Sequence, residues 1–232
     1  MYPVLAVANR IYVSNYQAHP LLTLASINAV LAGLADTLAQ SITLYRSREV
    51  KSERHNVFVD SYERERPNND EMSIGNVRIP LDATNRSFDP YRLMRLSTYG
   101  FAIAPIIQQW FLVLDRRFPI PTQNIGLTST IKHTMSAVAK RVVVDQICFA
   151  PFGLAFFFCA MGAMEGHSVD KIKEKFRVSF VPALKANYCV WPLVQVVNFR
   201  FMPLRYRVPF TGVMGVLWTG YLSLLNSTTS VH

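Results

Sequence analysis

The sequence predicts an all-α membrane protein: a polytopic helix bundle with four to five transmembrane helices and one polar loop insertion. Half of its 232 residues are hydrophobic and only 17% are charged, against about 25% charged in an ordinary soluble domain. Residues 46–95 hold ten Lys/Arg and nine Asp/Glu, whereas long runs elsewhere carry no charge. Since about 20 apolar residues cross a bilayer as a helix, these runs are long enough to span it.

The first part of the chain divides into a short segment, a helix and a loop. Residues 1–20 are expected to form an N-terminal interfacial segment, because they lack acidic residues and carry scattered aromatic ones. The membrane helix-bundle domain covers 21–226, and its first helix covers about 21–44. Residues 46–88 mix charges with Asn, Pro and Gly and predict a flexible polar loop.

The later apolar runs predict the remaining helices. The second and third helices are expected over about 90–117 and 136–166. A basic amphipathic link, DKIKEKFRVSF, comes next, and two further apolar regions end at about 199 and 226, before a C-terminal tail over 227–232. Whether both of these last regions cross the membrane stays open, so the sequence predicts four or five spans.

The net charge of +9 comes mainly from short basic stretches beside the apolar runs. Three basic stretches stand where helix ends are expected to meet lipid headgroups: Arg116/Arg117, Lys171/Lys173/Lys175/Arg177 and Arg205/Arg207. The expected partner is therefore the lipid bilayer, with contacts to anionic lipids, and not nucleic acid. A homo-oligomer stays open.

The stretch NYCVWPLVQVVNF carries polar residues at helical spacing. Because each residue turns about 100°, Asn187, Trp191, Gln195 and Asn198 fall within roughly 80° on one helix face. An alternating strand could not hold the central Pro192, whereas a membrane helix can hold it as a kink. Kinks are also expected at Pro105 and Pro151.

Other polar residues stand on the first and third helices. Asp36 and Gln40 share a face with Gly33, where small residues let another helix approach. In the third helix, Arg141 and Asp145 are four residues apart and could pair, with Gln146 beside them. These residues are either interhelical hydrogen-bonding groups or the lining of a water-filled pathway, and both interpretations stay open.

Signatures of catalysis are missing from the sequence. The five histidines are dispersed without metal-ligand spacing, and no phosphate-binding glycine loop or nucleophile motif occurs. We therefore expect no enzyme activity, no catalytic or metal-binding residues, and no cofactor.

The polar stretch and its surroundings resemble the Mpv-seventeen and twenty-two-kilodalton peroxisomal membrane protein family. Departures from the family pattern include Gln108 and Phe111, where the family usually has His and Tyr. The matching positions are Asn187, Trp191-Pro192, Gln195, Asn198-Phe199, Pro203 and Arg207-Val208, with Asp36, Gln40, Arg92, Arg95, Pro105, Trp110, Asp145-Gln146, Pro151, Trp218 and Tyr221-Leu222-Ser223 in support.

The resemblance implies a small multi-span protein of the mitochondrial inner membrane, with the peroxisomal membrane as the alternative. It also implies a pore-like or solute-passing role in organelle homeostasis. The leading hypothesis is a weakly selective channel or metabolite-passing protein for small solutes, lined by Asp36, Gln40, Asp145, Gln146, Gln195 and Asn198. The alternative is a non-conducting membrane scaffold for organelle assembly, whose polar insertion recruits partners.

Overall fold

A computed structural model of the chain describes residues 2–64, 87–120 and 127–229. These residues are almost entirely helical, which confirms the predicted all-α class. A five-residue π-helical segment, Asp145–Phe149, joins two of the helices without a break. The helices are α1 (Tyr2–Ala18), α2 (Pro20–Arg64), α3 (Pro90–Arg117), α4 (Leu127–Val144), α5 (Ala150–Met164), α6 (Val169–Phe201) and α7 (Leu204–Thr229).

Consecutive helices from α2 to α7 run in opposite directions, with α4 and α5 counted as one, whereas α2 and α7 pack side by side in the same direction. Gln40 of α2 bonds to Asp89 at the start of α3, while Arg207 of α7 bonds to Asp115 near the end of α3. These contacts define two ends, which we call the Asp89 end and the Asp115 end. Helices α2, α4–α5 and α7 run towards the Asp89 end, and α3 and α6 run towards the Asp115 end.

Three helices among the described residues are long and apolar enough to cross a membrane. They are Pro20–Arg46, Pro90–Arg117 and Lys132–Met164. Helices α6 and α7, with 33 and 26 residues respectively, run antiparallel to each other and complete the bundle. The predicted membrane helix bundle is therefore confirmed.

The observed helix boundaries agree best with the predicted ones where capping residues mark the helix ends. Helix α3 begins and ends where predicted, because Pro90 occupies its first turn and the Asp89 side chain accepts a hydrogen bond from Arg92 N at 3.0 Å. Helix α6 begins at Val169, after the capping residue Ser168, so the basic link is its first part. Gly166, with φ 69°, makes the turn before it.

Helix α2 differs most from the sequence prediction. It continues through 46–64, a stretch that we assigned to the flexible loop. This stretch contains no Gly or Pro and is rich in Arg, Glu and Lys, which favour helix even without an apolar face. The rest of the predicted loop lies mostly outside the described residues.

Small residues bring α2 close to α3 and α7. A Cβ atom on Gly100 would lie 2.7 Å from Ala32 Cβ and 2.9 Å from Asn28 O. The Asn28 amide donates a hydrogen bond of 2.8 Å to Gly100 O, and Gly212 of α7 packs against the same asparagine. Such close backbone approach is typical of membrane helix interfaces.

Candidate functional site

The Asp36 cluster joins α2 to the start of α3. Asp36 is 1% exposed, and its Oδ1 lies 2.9 Å from Arg92 Nε. Gln40, one turn later, donates to Asp36 Oδ2 at 2.7 Å and to Asp89 O at 3.0 Å. Its Oε1 accepts from Asp89 N at 2.7 Å. The predicted polar face of α2 thus binds the N-terminus of α3.

The Asp145 cluster joins three helices nearer the Asp115 end. Asp145 is 2% exposed and accepts hydrogen bonds from Trp110 Nε1 at 2.8 Å and from the side-chain amides of Gln146 and Gln195, both at 2.9 Å. Asn198, which is 0% exposed, donates to Gln195 Oε1 at 2.9 Å. The cluster therefore connects α3, the π-helical segment and α6 through one carboxylate.

The π-type bonding of the segment that carries Asp145 ends before Pro151. The Ala150 N–H bonds to Asp145 O, five residues back. The next bond of this type would need an N–H at Pro151, which proline lacks. The Tyr188 hydroxyl of α6 donates instead to Gln146 O at 2.9 Å. A side chain of α6 thus satisfies the carbonyl that the proline leaves unpaired.

The Asp115 cluster closes the opposite end of α3. Asp115 Oδ1 accepts a hydrogen bond of 2.8 Å from the buried Arg207 of α7 and forms an ion pair with the buried Arg141 of α4. Arg141 also donates twice to Phe118 O, at 2.9 and 2.8 Å, and Arg207 donates to Met202 O at 3.1 Å.

Helix ends help to balance the charge of the Asp115 cluster. Phe118 and Met202 are the C-cap residues of α3 and α6. Their carbonyl groups stand at the negative ends of the helix dipoles, where cations are stabilised. The second positive charge of this cluster is therefore offset by two helix C-termini, which makes the cluster a structural junction of four helices.

The structure corrects the expected pair between Arg141 and Asp145. Arg141 turns to Asp115, while Asp145 receives neutral donors from Trp110, Gln146 and Gln195. Spacing within one helix permits such a pair, but the Asp115 carboxylate and the Phe118 carbonyl group, both at the end of α3, compete for the guanidinium.

The remaining predicted residues lie close to the clusters. Asn187 and Trp191 are half-buried, two turns and one turn before Gln195 on the same helix. Pro105 and Pro192 lie inside α3 and α6, and the kinks expected there stay predictions. Pro151 stands at the first turn of α5, directly after the π-helical segment.

Several polar residues were missed by the sequence reasoning. Asn28 holds the junction of α2, α3 and α7, and Asp115 joins two arginines. Asp115 could have been noticed as the sole acidic residue between 97 and 144. Gln108, treated as a departure from the family pattern, donates to Tyr16 OH at 3.2 Å and so holds α1 against α3.

Helix α1 is also held by tyrosines. Tyr12 donates to Arg205 O, and Tyr206 donates to Asn9 Oδ1 at 2.7 Å. Burial, reinforced by Tyr16 and Tyr206, raises the pKa of Tyr12 to about 12. Its hydroxyl is therefore protonated, and able to donate, throughout the physiological pH range.

The polar clusters are sealed in this conformation. A side chain that lines a water-filled lumen would be in contact with solvent, yet Asp36, Asp145 and Asn198 are at most 2% exposed. A cleft of about 480 Å³ lies between α2 and α7 at the Asp89 end, lined by Ser41, Ile42, Tyr45, Arg46 and Leu224, none of which belongs to a cluster. Among the described residues, no group of three His, Cys, Asp or Glu could hold a metal ion.

The fold and these clusters define a polytopic membrane helix bundle joined by buried polar groups. Residues 162–223 match the model of the Mpv17 / PMP22 family. An uncharacterized protein of Schizosaccharomyces pombe is 38% identical over 92% of this chain and 85% of its own length. Protein sym1 of the same organism is 32% identical over 94% of this chain and 90% of its own length. Protein SYM1 of Saccharomyces cerevisiae is 36% identical over 64% of this chain and 72% of its own length.

The chain belongs to the Mpv17 / PMP22 family and is an integral organelle-membrane protein. The matched stretch contains Gln195 and Asn198 of the Asp145 cluster and Arg207 of the Asp115 cluster. No solved structure matches the chain.

Proposed function

We propose that this protein is a gated, weakly selective passage for small solutes, and that the structure is its closed conformation. The observation that carries this proposal is the burial of Asp145 at a junction of three helices. Ionisable residues inside membrane bundles are costly and commonly mark solute pathways. The π-helical segment at Asp145 adds support, because π turns are frequent at functional sites.

Opening would require α6 to separate from the π-helical segment. The bond from Gln195 to Asp145 would then break, and water would reach Asp145, Gln146 and Asn198. Asp36 and Gln40 would extend the polar lining towards the Asp89 end. No chemical reaction is needed for this function, which agrees with the expectation of no catalytic residues.

Planar bilayers test the passage. Purified protein should give discrete current steps, and Asp145→Asn should shift the reversal potential in a salt gradient towards weaker cation preference. Asp170→Asn is the matched control, because Asp170 has a side chain 94% exposed and outside the clusters. A bilayer without current, together with vesicles without solute flux, would overturn the proposal.

The compartment belongs to the same proposal. On the family resemblance we propose the mitochondrial inner membrane, with the peroxisomal membrane as the alternative. Protease protection of tagged termini in isolated mitochondria and peroxisomes would give both compartment and orientation. A tag recovered only in another membrane would contradict both assignments.

A non-conducting scaffold is a second candidate, favoured by the extension of α2. Residues 47–64 continue the helix about 27 Å beyond the candidate span Pro20–Arg46 and could present a partner-binding surface. Replacing 47–86 by a short Gly/Ser linker tests this, because Gln40 and Asp89 already hold the two ends together. A scaffold would lose function in cells while keeping its location, whereas a channel would keep conducting.

A further inference from the structure

The topology divides the charge of this protein unequally between the two ends of the bundle. Among the described residues, nine basic residues stand at the Asp115 end with one acidic residue, Asp115, which gives a local net charge of +8, while Asp145 lies about one turn further into the bundle than Arg141. The rest of the chain has fifteen basic and fourteen acidic residues and is almost neutral. The nine are Arg10, Arg116, Arg117, Lys132, Lys140, Arg141, Arg200, Arg205 and Arg207.

Contacts from five helices place these residues at one end. Helix α1 bonds to Arg205 and Tyr206 at the start of α7, and α4 bonds to Phe118 at the end of α3. Helix α6 ends beside the same junction, where Arg207 donates to Met202 O. The residues are spread over the sequence, so their common location follows from the antiparallel packing.

Most of the basic residues at this end have no structural role in the Asp115 cluster. Only Arg141 and Arg207 are buried, and these two share the carboxylate. The seven exposed residues form what we call the basic belt: Arg10, Arg116, Arg117, Lys132, Lys140, Arg200 and Arg205. Arg116 and Arg117 end the candidate span Pro90–Arg117, and Lys132 begins the candidate span Lys132–Met164, positions from which basic side chains commonly reach lipid headgroups.

Helix α1 gives this surface an apolar component. Val7 and Ile11 are each 57% exposed and flank the exposed Arg10. A helix that combines exposed apolar residues, a basic residue and no acidic residue is suited to the interface of a bilayer. Lipid headgroups fit this mixed surface better than a nucleic acid, which would leave the apolar residues without a partner.

The Asp89 end provides an internal comparison. Its exposed lysines lie among acidic residues: Lys175 is 3.4 Å from Glu165, and Lys173 is 3.7 Å from Asp170. Such mixed charges attract anionic lipids less than an unopposed cluster does. The basic stretches for which the sequence predicted anionic-lipid contacts lie at both ends of the bundle. The distribution of charge in the fold favours such contacts at the Asp115 end.

We propose that the basic belt binds the headgroups of anionic phospholipids in the leaflet that surrounds the Asp115 end. The inference does not depend on solute passage, since a channel or a scaffold could equally hold these lipids. Phosphate groups would be neutralised by guanidinium and ammonium groups of five helices, and binding would decrease at high salt.

Spin-labelled lipids test this proposal on the full protein in phosphatidylcholine bilayers. Trace phosphatidylglycerol should be motionally restricted by the protein more than trace phosphatidylcholine. The triple variant Arg116→Gln/Arg117→Gln/Lys140→Gln should lower that preference by about twofold or more. Lys171→Gln/Lys173→Gln/Arg177→Gln, which removes the same charge at the Asp89 end, is the matched control and should change it little.

Folding of both variants is checked by thermal unfolding in detergent, and salt provides a test without mutation. Raising salt to about 1 M should weaken the preference of the unmodified protein, because screening acts on exposed charges. Equal motional restriction of phosphatidylglycerol and phosphatidylcholine would overturn the proposal. An equal loss of the preference for phosphatidylglycerol in both triple variants would do so too. A preference unchanged by salt would also contradict it.

Discussion

Gln195 of α6 donates a hydrogen bond of 2.9 Å to Asp145, so an amide and a carboxylate fifty residues apart in sequence hold the bundle together. Replacing Gln195 by Leu should destabilise the protein by about 1–3 kcal/mol, because the buried carboxylate loses a donor. Thermal unfolding in detergent measures this. Gln109→Leu is the control, since Gln109 is exposed on α3 and should change little. Equal losses in both variants would contradict the prediction.

Substitution of Asp115 should destabilise the protein more than substitution of any exposed acidic residue. Asp115→Asn leaves Arg141 and Arg207 without their shared carboxylate. Because the two arginines are buried but the Asp115 side chain is 27% exposed, we expect a loss of about 1.5–3 kcal/mol, the range for a hydrogen bond to a charged group. Asp170→Asn, at an exposed position, should cost almost nothing. Chemical denaturation of both variants in detergent gives the comparison, and similar midpoints would refute this role for Asp115.

The space around two glycines, Gly100 of α3 and Gly215 of α7, predicts opposite effects of alanine substitution on stability. Gly100→Ala would place a Cβ 2.7 Å from Ala32 Cβ and 2.9 Å from a backbone oxygen, so the helices must separate, at about 1–3 kcal/mol. A Cβ on Gly215 meets nothing within 4 Å. Gly215→Ala should therefore stabilise α7 by up to about 1 kcal/mol. Unfolding temperatures should move in opposite directions, and the packing assignment fails if Gly100→Ala is neutral.

Tyr188 and Pro151 should be energetically coupled. Tyr188→Phe leaves Gln146 O without its hydroxyl donor and should cost about 1–2 kcal/mol. In a Pro151→Ala background the new N–H can serve that carbonyl, so the same change should cost less. A double-mutant cycle of unfolding free energies measures the coupling.

Tyr221→Phe is the control for Tyr188, because Tyr221 is exposed on α7. It should have the same small effect with or without Pro151. Additive effects of Tyr188→Phe and Pro151→Ala would show that the hydroxyl and the proline act independently.

Sequence patterns identified most polar residues of the clusters but not their partners on other helices. Asp36 with Gln40, and Gln195 with Asn198, were recognised by helical spacing, which depends on one helix alone. The partners of Arg141 could not be recognised in this way, because Asp115 and Phe118 come from a different helix. Spacing within the helix made Asp145 a candidate partner for Arg141, whereas the tertiary packing pairs Arg141 with Asp115.

The sequence by itself determined the class of this protein. Apolar runs of membrane-spanning length, separated by a charged insertion, require helices in a bilayer, since unpaired backbone groups are too costly in lipid. Only the tertiary structure decided which polar groups meet and that the basic residues gather at the Asp115 end. The physical reason is that antiparallel packing brings distant segments together, and no local pattern specifies which helices become neighbours.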